Sequence, residues 1–373
     1  MNETLEGKIK DYALDLGYCK VGITSAGGFE PYRNEVLSRG ESYGFLSKSA
    51  NNSSRISEFN PEAKSIIVLA WDYMQNHYPE KLSCKIGRVF LSRSYNPPPD
   101  RIHGARLQLM KDFLSAKGIT IIPAIFVPLR YAAAKAGVVS IGKNSFAYVD
   151  GVGSFVSLFA IVVDAKLQYD APVEKSKCPP NCTICRDACP TKSISEPFKM
   201  IPGKCIAFNT YITARNQGVV SPEIREKLGN HVYGCDVCQE VCPRNASRMK
   251  SKLPKDAYLE KRSEKITLTN LLHASANFFG EEVLPLVYNF ITERKYIQRN
   301  AAIAIGNTRD ESYLSDLEIA LNDSEEIVRA HVAWALGQIA GLTASNLLLK
   351  RKSIETSDVV LSEINQALSL LSN

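Results

Sequence analysis

No apolar run in this sequence is long enough to cross a bilayer. The longest, FVSLFAIVV at 155–163, falls far short of the ~20 residues that a spanning helix takes. The opening stretch, MNETLEGKIKDYALDLGY, is charged and amphipathic. It lacks the apolar core and small-residue cleavage site of an export signal, so the expected location is the cytoplasm. Composition excludes disorder and fibrous structure, since 45% hydrophobic and 23% charged residues are ordinary globular proportions. Charge of one sign is not in large excess either. A net +6 permits an anionic partner such as RNA without requiring one. Cysteine is nearly absent outside one region: of ten, only Cys19 and Cys84 lie outside 178–242. In a reducing compartment such clustering means metal rather than disulfides.

The chain has 373 residues, which suits two or three domains rather than one core. Residues 1–170 read as mixed α/β. KIKDYALDLG predicts an amphipathic helix and CKVGITSA a strand. KSIIVLAWDYM at 64–74 predicts a buried strand, and ARLQLMKDFLSAKG at 105–118 a helix with a glycine stop. ITIIPAIFV then reads as a strand, LRYAAAKAG as a helix and SFVSLFAIVVDA as a closing strand. Residues 171–255 exchange long periodic runs for cysteine, proline and short helical pieces, the mark of a cluster-binding module that uses metal in place of a large core. The segment 275–373 is helical. QRNAAIAIGN at 298–307 is echoed by VRAHVAWALGQ at 328–338, a period of about thirty residues that points to a short HEAT-like stack over a plain helical bundle.

The cysteines fall in two runs. The first is Cys178-x3-Cys182-x2-Cys185-x3-Cys189-Pro, and the second is Cys235-x2-Cys238-x3-Cys242-Pro. Two-cluster ferredoxins use C-x2-C-x2-C-x3-C-P, with the fourth cysteine of each run ligating the other cluster. By that crossover, Cys182, Cys185 and Cys242 hold one 4Fe–4S cluster with Cys178 as the fourth ligand. Cys189, Cys235 and Cys238 hold the other, with Cys205 assigned by count. Zinc is the alternative, but it favours paired C-x2-C units, and the Cys-Pro endings do not suit it. The first spacing departs by one residue, with Pro179 and Pro180 in the gap, which makes Cys178 the weakest match.

Around these runs, KCIAFNTYIT, SPEIREKLGNHVYGCDVCQEVCPRN and the upstream AGVVSIGKNSF…GVGSFVSL together resemble the epoxyqueuosine reductase family. The helical tail, with IQRNAAIAIGN and VRAHVAWALGQIA, is also similar to it. The resemblance implies an α+β multidomain fold: an α/β cobalamin-binding domain like that of reductive dehalogenases, a two-cluster ferredoxin-like domain and HEAT-like helical repeats. It implies two 4Fe–4S clusters and a base-off cobalamin that they reduce, with epoxyqueuosine in tRNA as substrate. It further implies a low-potential electron donor of the ferredoxin or flavodoxin type, no membrane, and a monomeric chain. Carried over by motif, Gly142, Lys143 and Asn144 of IGKN, Arg55 before the AKSIIVLA strand and Ser154 of GSF become expected cofactor-pocket residues.

One position departs from the family. Its pattern places an acid, the proton donor, before the arginine of the segment that reads PLRYAAAKAG in this chain, and the residue there is Leu129. Leucine cannot deliver a proton. Asp100, His103, Tyr131 and Tyr148 are the available substitutes, each of a type that more often serves packing or solvation. The departure admits a paralogue with another substrate. It also admits a non-catalytic electron-transfer protein that docks a partner through its helical tail, although such a protein needs no α/β domain.

Overall fold

The computed structural model describes residues 4–123, 126–211, 218–288 and 290–371. Two compact units emerge, each assembled from separated stretches of chain. The first comprises Met1–Asn76, Ser92–Pro202 and Val237–Pro254, and the second His77–Leu91, Gly203–Asp236 and Lys255–Asn373. The division runs between Asp236 and Val237, so Cys235 and Cys238 of a single motif fall in different units. Among the described residues, no helix is long and apolar enough to cross a membrane.

The first unit is built on a three-stranded antiparallel sheet in the order β1 (Lys20–Ser25), β2 (Ser65–Asp72), β5 (Val156–Val163). The continuous apolar run predicts the middle strand correctly, because residues covered on both faces cannot alternate with polar ones. Ile66 through Ala70 are fully buried, and Ile67 sits opposite Ile23 on one side and Ile161 on the other. The helices Leu5–Asp15, Ile102–Ala116 and Leu129–Lys135 form where their periodicity predicts them. Thr4 caps the first of them by accepting from Gly7 N at 3.1 Å. Gly22 lets helix Leu129–Lys135 come close: a Cβ there would lie 2.0 Å from the Ala136 carbonyl oxygen.

One expected strand is not formed. ITIIPAIFV at 119–127 contributes an isolated bridge from Ile121 to Val163, with Ile122 N donating to Val162 O at 2.8 Å. Pro123 has no N–H to continue the ladder, so pairing stops there. Residues 124–125 lie outside the described part.

A small hairpin of β3 (Ser140–Ile141) and β4 (Ala147–Tyr148) presents the GKN turn between its strands. Gly142 N donates to Phe146 O at 2.8 Å, and Ser145 takes a positive φ of 64° to close the turn.

In the second unit the helices Arg294–Thr308, Glu326–Ile339 and Asp358–Leu371 pack in succession. The sequence echo has a steric basis. A Cβ on Gly306 would lie 2.8 Å from Ala335, and one on Gly337 would lie 2.8 Å from Ala367. Each repeat thus spends a glycine on close approach to an alanine of the next helix. The stack also buries ions. Arg225 forks onto Glu363 at 2.7 and 2.6 Å, both buried, and Arg329 onto Glu355 at 2.9 Å twice. Beside them His331 is neutral, since burial and then the Arg225 and Arg299 charges push its pKa well down. Its Nδ1–H faces Ile327 O at 2.8 Å, and its Nε2 accepts from Val220 N at 3.3 Å.

Removing one member of a buried pair strands the other. Glu363→Ala should therefore destabilise the protein by about 3–5 kcal/mol, read from denaturant unfolding of the helical signal. Replacing both residues with apolar ones (Arg225→Met with Glu363→Leu) should recover most of that loss. Equal losses in the single and double variants would show that the pair carries no such strain.

Candidate metal centre

The loop from Cys178 to Cys189 lies in the first unit. Its prolines set the turn: Cys182 N donates to Pro179 O at 3.1 Å, and a single helical turn, Ile184–Asp187, follows. Thr183 holds that turn by donating to Asp187 Oδ2 at 2.5 Å. The Cys185 thiol pKa is raised first by burial and then by Cys242, Cys178 and Cys182. Those four cysteines share one neighbourhood, and Cys178 is in it despite the longer spacing.

The carbonyls of this lengthened loop are not left bare. Lys143 donates its ammonium to Pro179 O at 2.8 Å, to Pro180 O and to Cys182 O at 3.0 Å. Proline adds an acceptor without a donor, and one lysine head with three hydrogens satisfies three such acceptors. Cys189 Sγ accepts from Ser193 N at 3.3 Å and lies 3.6 Å from Thr191 Oγ1. Donors directed at sulfur favour the thiolate form that a cluster requires.

The second run is held by the hairpin and by GSF. Asn144 Nδ2 donates to Tyr148 Oη at 3.0 Å and to Cys238 O at 3.1 Å. Ser154 Oγ donates to Gln239 Oε1 at 3.0 Å and accepts from Asn245 Nδ2 at 2.8 Å, while Ser154 N donates to Asn245 Oδ1 at 2.9 Å. Gly153 permits this approach: its φ is +96°, and a Cβ would lie 2.3 Å from Asn245 Oδ1. Tyr148 is buried beside Cys242, and burial followed by its hydrogen bond to that sulfur pushes the phenol pKa far up. Asn144 donates to the phenol oxygen, so the phenol proton is left for Cys242. The Arg244 guanidinium lies 4.3 Å over the Tyr148 ring and donates to Ser140 Oγ at 3.1 Å.

Cys205 and Cys235 lie in the second unit. Asn209 Nδ2 donates to Cys205 O at 2.9 Å. Gly234, just before Cys235, donates its N–H to Thr210 Oγ1 at 2.9 Å, and Asp236, just after it, accepts from Arg88 N at 2.7 Å. Among the described residues, no three His, Cys, Asp or Glu side chains gather tightly enough for a single metal ion.

Four of the five expected cofactor residues, Gly142, Lys143, Asn144 and Ser154, come together against the cysteine segments. Arg55 stands apart from them, half-buried, 3.5 Å from Glu58 and 5.9 Å from the Phe59 ring centre. The proton-donor candidates separate clearly. Asp100 is solvent-exposed, 3.9 Å from Arg101. His103 packs edge-on against Trp71 at 4.9 Å, and burial, then the Arg106 and Arg93 charges, push its pKa down to about 4. Leu129 opens helix Leu129–Lys135 and packs on the core. Tyr131, in the same turn, tilts onto Tyr32 at 5.3 Å. Burial raises the pKa of Tyr32, Tyr43, Tyr95 and Tyr131 and keeps all four phenols protonated, and the Arg130 charge opposes that rise at each of them. This tyrosine group escapes a sequence reading because its members are scattered over a hundred positions.

The 4Fe–4S double cluster binding domain matches residues 177–245, and the HEAT repeats family matches residues 284–369. The epoxyqueuosine reductase of Bacillus subtilis is 30% identical over 98% of this chain and 96% of its own length. A crystal structure of epoxyqueuosine reductase with a tRNA-Tyr epoxyqueuosine-modified stem loop superposes with a TM-score of 0.84 at 27% identity, covering 99% of each chain. The Bacillus subtilis enzyme, in a structure with its catalytic-aspartate loop swung out of the active site, gives 0.82 at 27% identity over 98% of this chain and 99% of the other. With likeness of that level running through both units and the cysteine segments between them in sequence, the chain belongs to the epoxyqueuosine reductase family.

Proposed function

We propose that the protein reduces epoxyqueuosine in tRNA, with electrons passing through two 4Fe–4S clusters. The observation that carries this reading is the neighbourhood of Cys178, Cys182, Cys185 and Cys242 within a chain similar to the reductases over nearly its whole length. These four hold the first cluster, and Cys189, Cys205, Cys235 and Cys238 are assigned to the second. The reading takes a ferredoxin or flavodoxin as electron donor, the cytoplasm as location and a monomer as the working form. A net charge of +6 suits a partner whose phosphates attract lysine and arginine.

The iron–sulfur groups fit the residues present. Cys178, Cys182 and Cys242 lie near enough to Cys185 for their charges to act on it, a lysine donates to the loop carbonyls, and N–H and O–H donors face sulfur. When bound, the clusters supply single low-potential electrons. The protein's own part is to hold the thiolates and set their potential. The Tyr148 phenol, aimed at Cys242, stabilises the more negative reduced state more than the oxidised one.

Cobalamin enters this reading through the family resemblance alone. The five residues expected to hold it make other contacts in this structure. Lys143, Asn144 and Ser154 direct polar atoms at the cysteine loops, Gly142 is packed on the Tyr148 ring, and half-buried Arg55 pairs with Glu58. Gly142, Lys143, Asn144 and Ser154 support the iron–sulfur segments, and Arg55 does not.

Removing an epoxide oxygen as water takes two electrons and two protons. Leu129 supplies none, Asp100 is in solvent, and His103 is uncharged above about pH 4. We infer that Tyr131 is the proton donor: it lies two residues beyond Leu129, half-buried and held protonated by burial and the Glu35 charge, with Arg130 and Arg39 offsetting part of that rise. Leu129 itself favours a second reading, a family member acting on a different substrate.

Anaerobically reconstituted protein, given a low-potential reductant, cobalamin and epoxyqueuosine-bearing tRNA, should yield queuosine by mass spectrometry of the digested tRNA, and none without cobalamin. Tyr131→Phe should slow turnover by about 100-fold or more at unchanged iron content. No product from fully loaded protein would point to the second reading.

Tyr148→Phe should lower the midpoint potential of one cluster by roughly 60 mV, the equivalent of a ~1.5 kcal/mol hydrogen bond to a charged group. An unchanged potential in a redox titration would show that the phenol does not tune the cluster.

A further inference from the structure

Helix Arg294–Thr308 carries two polar residues, Arg299 and Asn300, at positions that are 1% and 0% exposed. A helical stack that packs on alanine and glycine does not need them, and buried polar groups are costly unless fully bonded. Their partners explain them. Asn300 Nδ2 donates to Thr210 O at 2.8 Å and to Val232 O at 2.7 Å. Asn300 Oδ1 accepts from Arg299 Nε at 2.9 Å and Nη2 at 2.8 Å. Arg299 reaches on to Asn209 O at 3.2 Å and to Gly218 O.

The carbonyls that Asn300 gathers belong to the two segments that carry this unit's cluster cysteines. Thr210 lies five residues after Cys205 and Val232 three before Cys235. Each segment is tied further. Asn209 Nδ2 donates to Gly203 O at 2.8 Å and Cys205 O at 2.9 Å, and Thr210 Oγ1 accepts from Gly234 N at 2.9 Å. One amide group therefore bridges two backbone segments that are remote in sequence, and both thiols hang from its ends.

We propose that Asn300, oriented by Arg299, is a positioning residue for Cys205 and Cys235, and that the helical repeats thereby set the second iron–sulfur cluster. The proposal rests on the iron–sulfur reading above. It gives the repeats a part in electron transfer that is separate from any contact with RNA, because the clamp is fully buried.

The test uses the full-length protein, reconstituted anaerobically with iron and sulfide. Its readouts are iron content, the EPR signals of the dithionite-reduced clusters, and thermal stability. Wild type should hold about eight irons. Asn300→Leu keeps the branched shape and removes the bridge. It should fall to about four irons, or keep them with a shifted signal for one cluster only. Thr210→Val, nearly isosteric, should shift the same signal to a smaller extent. Arg329→Met breaks a buried ion pair in the same stack without touching either cysteine segment, and should keep both signals at comparable loss of stability. The proposal is overturned if Asn300→Leu and Thr210→Val retain both wild-type signals, if both signals vanish together in these variants, or if Arg329→Met loses the same cluster. A wild type that takes up no cluster at all overturns the iron–sulfur reading and this proposal with it.

Discussion

Thiolate sulfur placed among partly buried loops needs donors, and the loops that carry it need their carbonyls satisfied. Nearly every unusual feature of this chain answers those two demands. Lys143 gathers three carbonyls of the loop that starts at Cys178. Ser193 N points at Cys189 and the Tyr148 phenol at Cys242. Asn144, Ser154 and Asn245 fasten the Cys238–Cys242 stretch to the hairpin and to the start of β5. In the second unit, Asn300 does the corresponding work for the backbone near Cys205 and Cys235. Such polar networks persist only when every member is bonded, which ties the identity of several residues to the cysteines without any of them being a ligand.

Much of this was legible in the sequence, and for identifiable reasons. Strand β2 shows itself as an apolar run because both its faces are covered, and the helices show themselves by period. The iron–sulfur motif is local, so spacing alone exposes it. The helical repeat is legible because Gly306 and Gly337 do the same steric work one repeat apart. What stayed hidden depends on contacts between distant positions. IGKN was recognisable as a special turn, but that Lys143 serves loop carbonyls opened by Pro179 and Pro180 required the fold. Pro123 shows the opposite failure, where an apolar run reads as a strand until the missing N–H is counted.

Leu129 bears on what kind of family member this is. A related structure is described with a catalytic-aspartate loop, while this chain opens the helix Leu129–Lys135 with an apolar residue packed on the core. The neighbouring wall is made of phenols around Arg130, all held protonated. With Tyr131 as the proposed donor the pH dependence would differ from that of a carboxylic acid, since a phenol stays protonated to far higher pH.

The central claim is that these cysteines hold two cubane clusters. The most direct measurement is iron anomalous scattering from crystals grown anaerobically. The account predicts two separate four-iron peaks, one of them ringed by Cys178, Cys182, Cys185 and Cys242. A single-ion peak among those cysteines that follows the zinc absorption edge would contradict it.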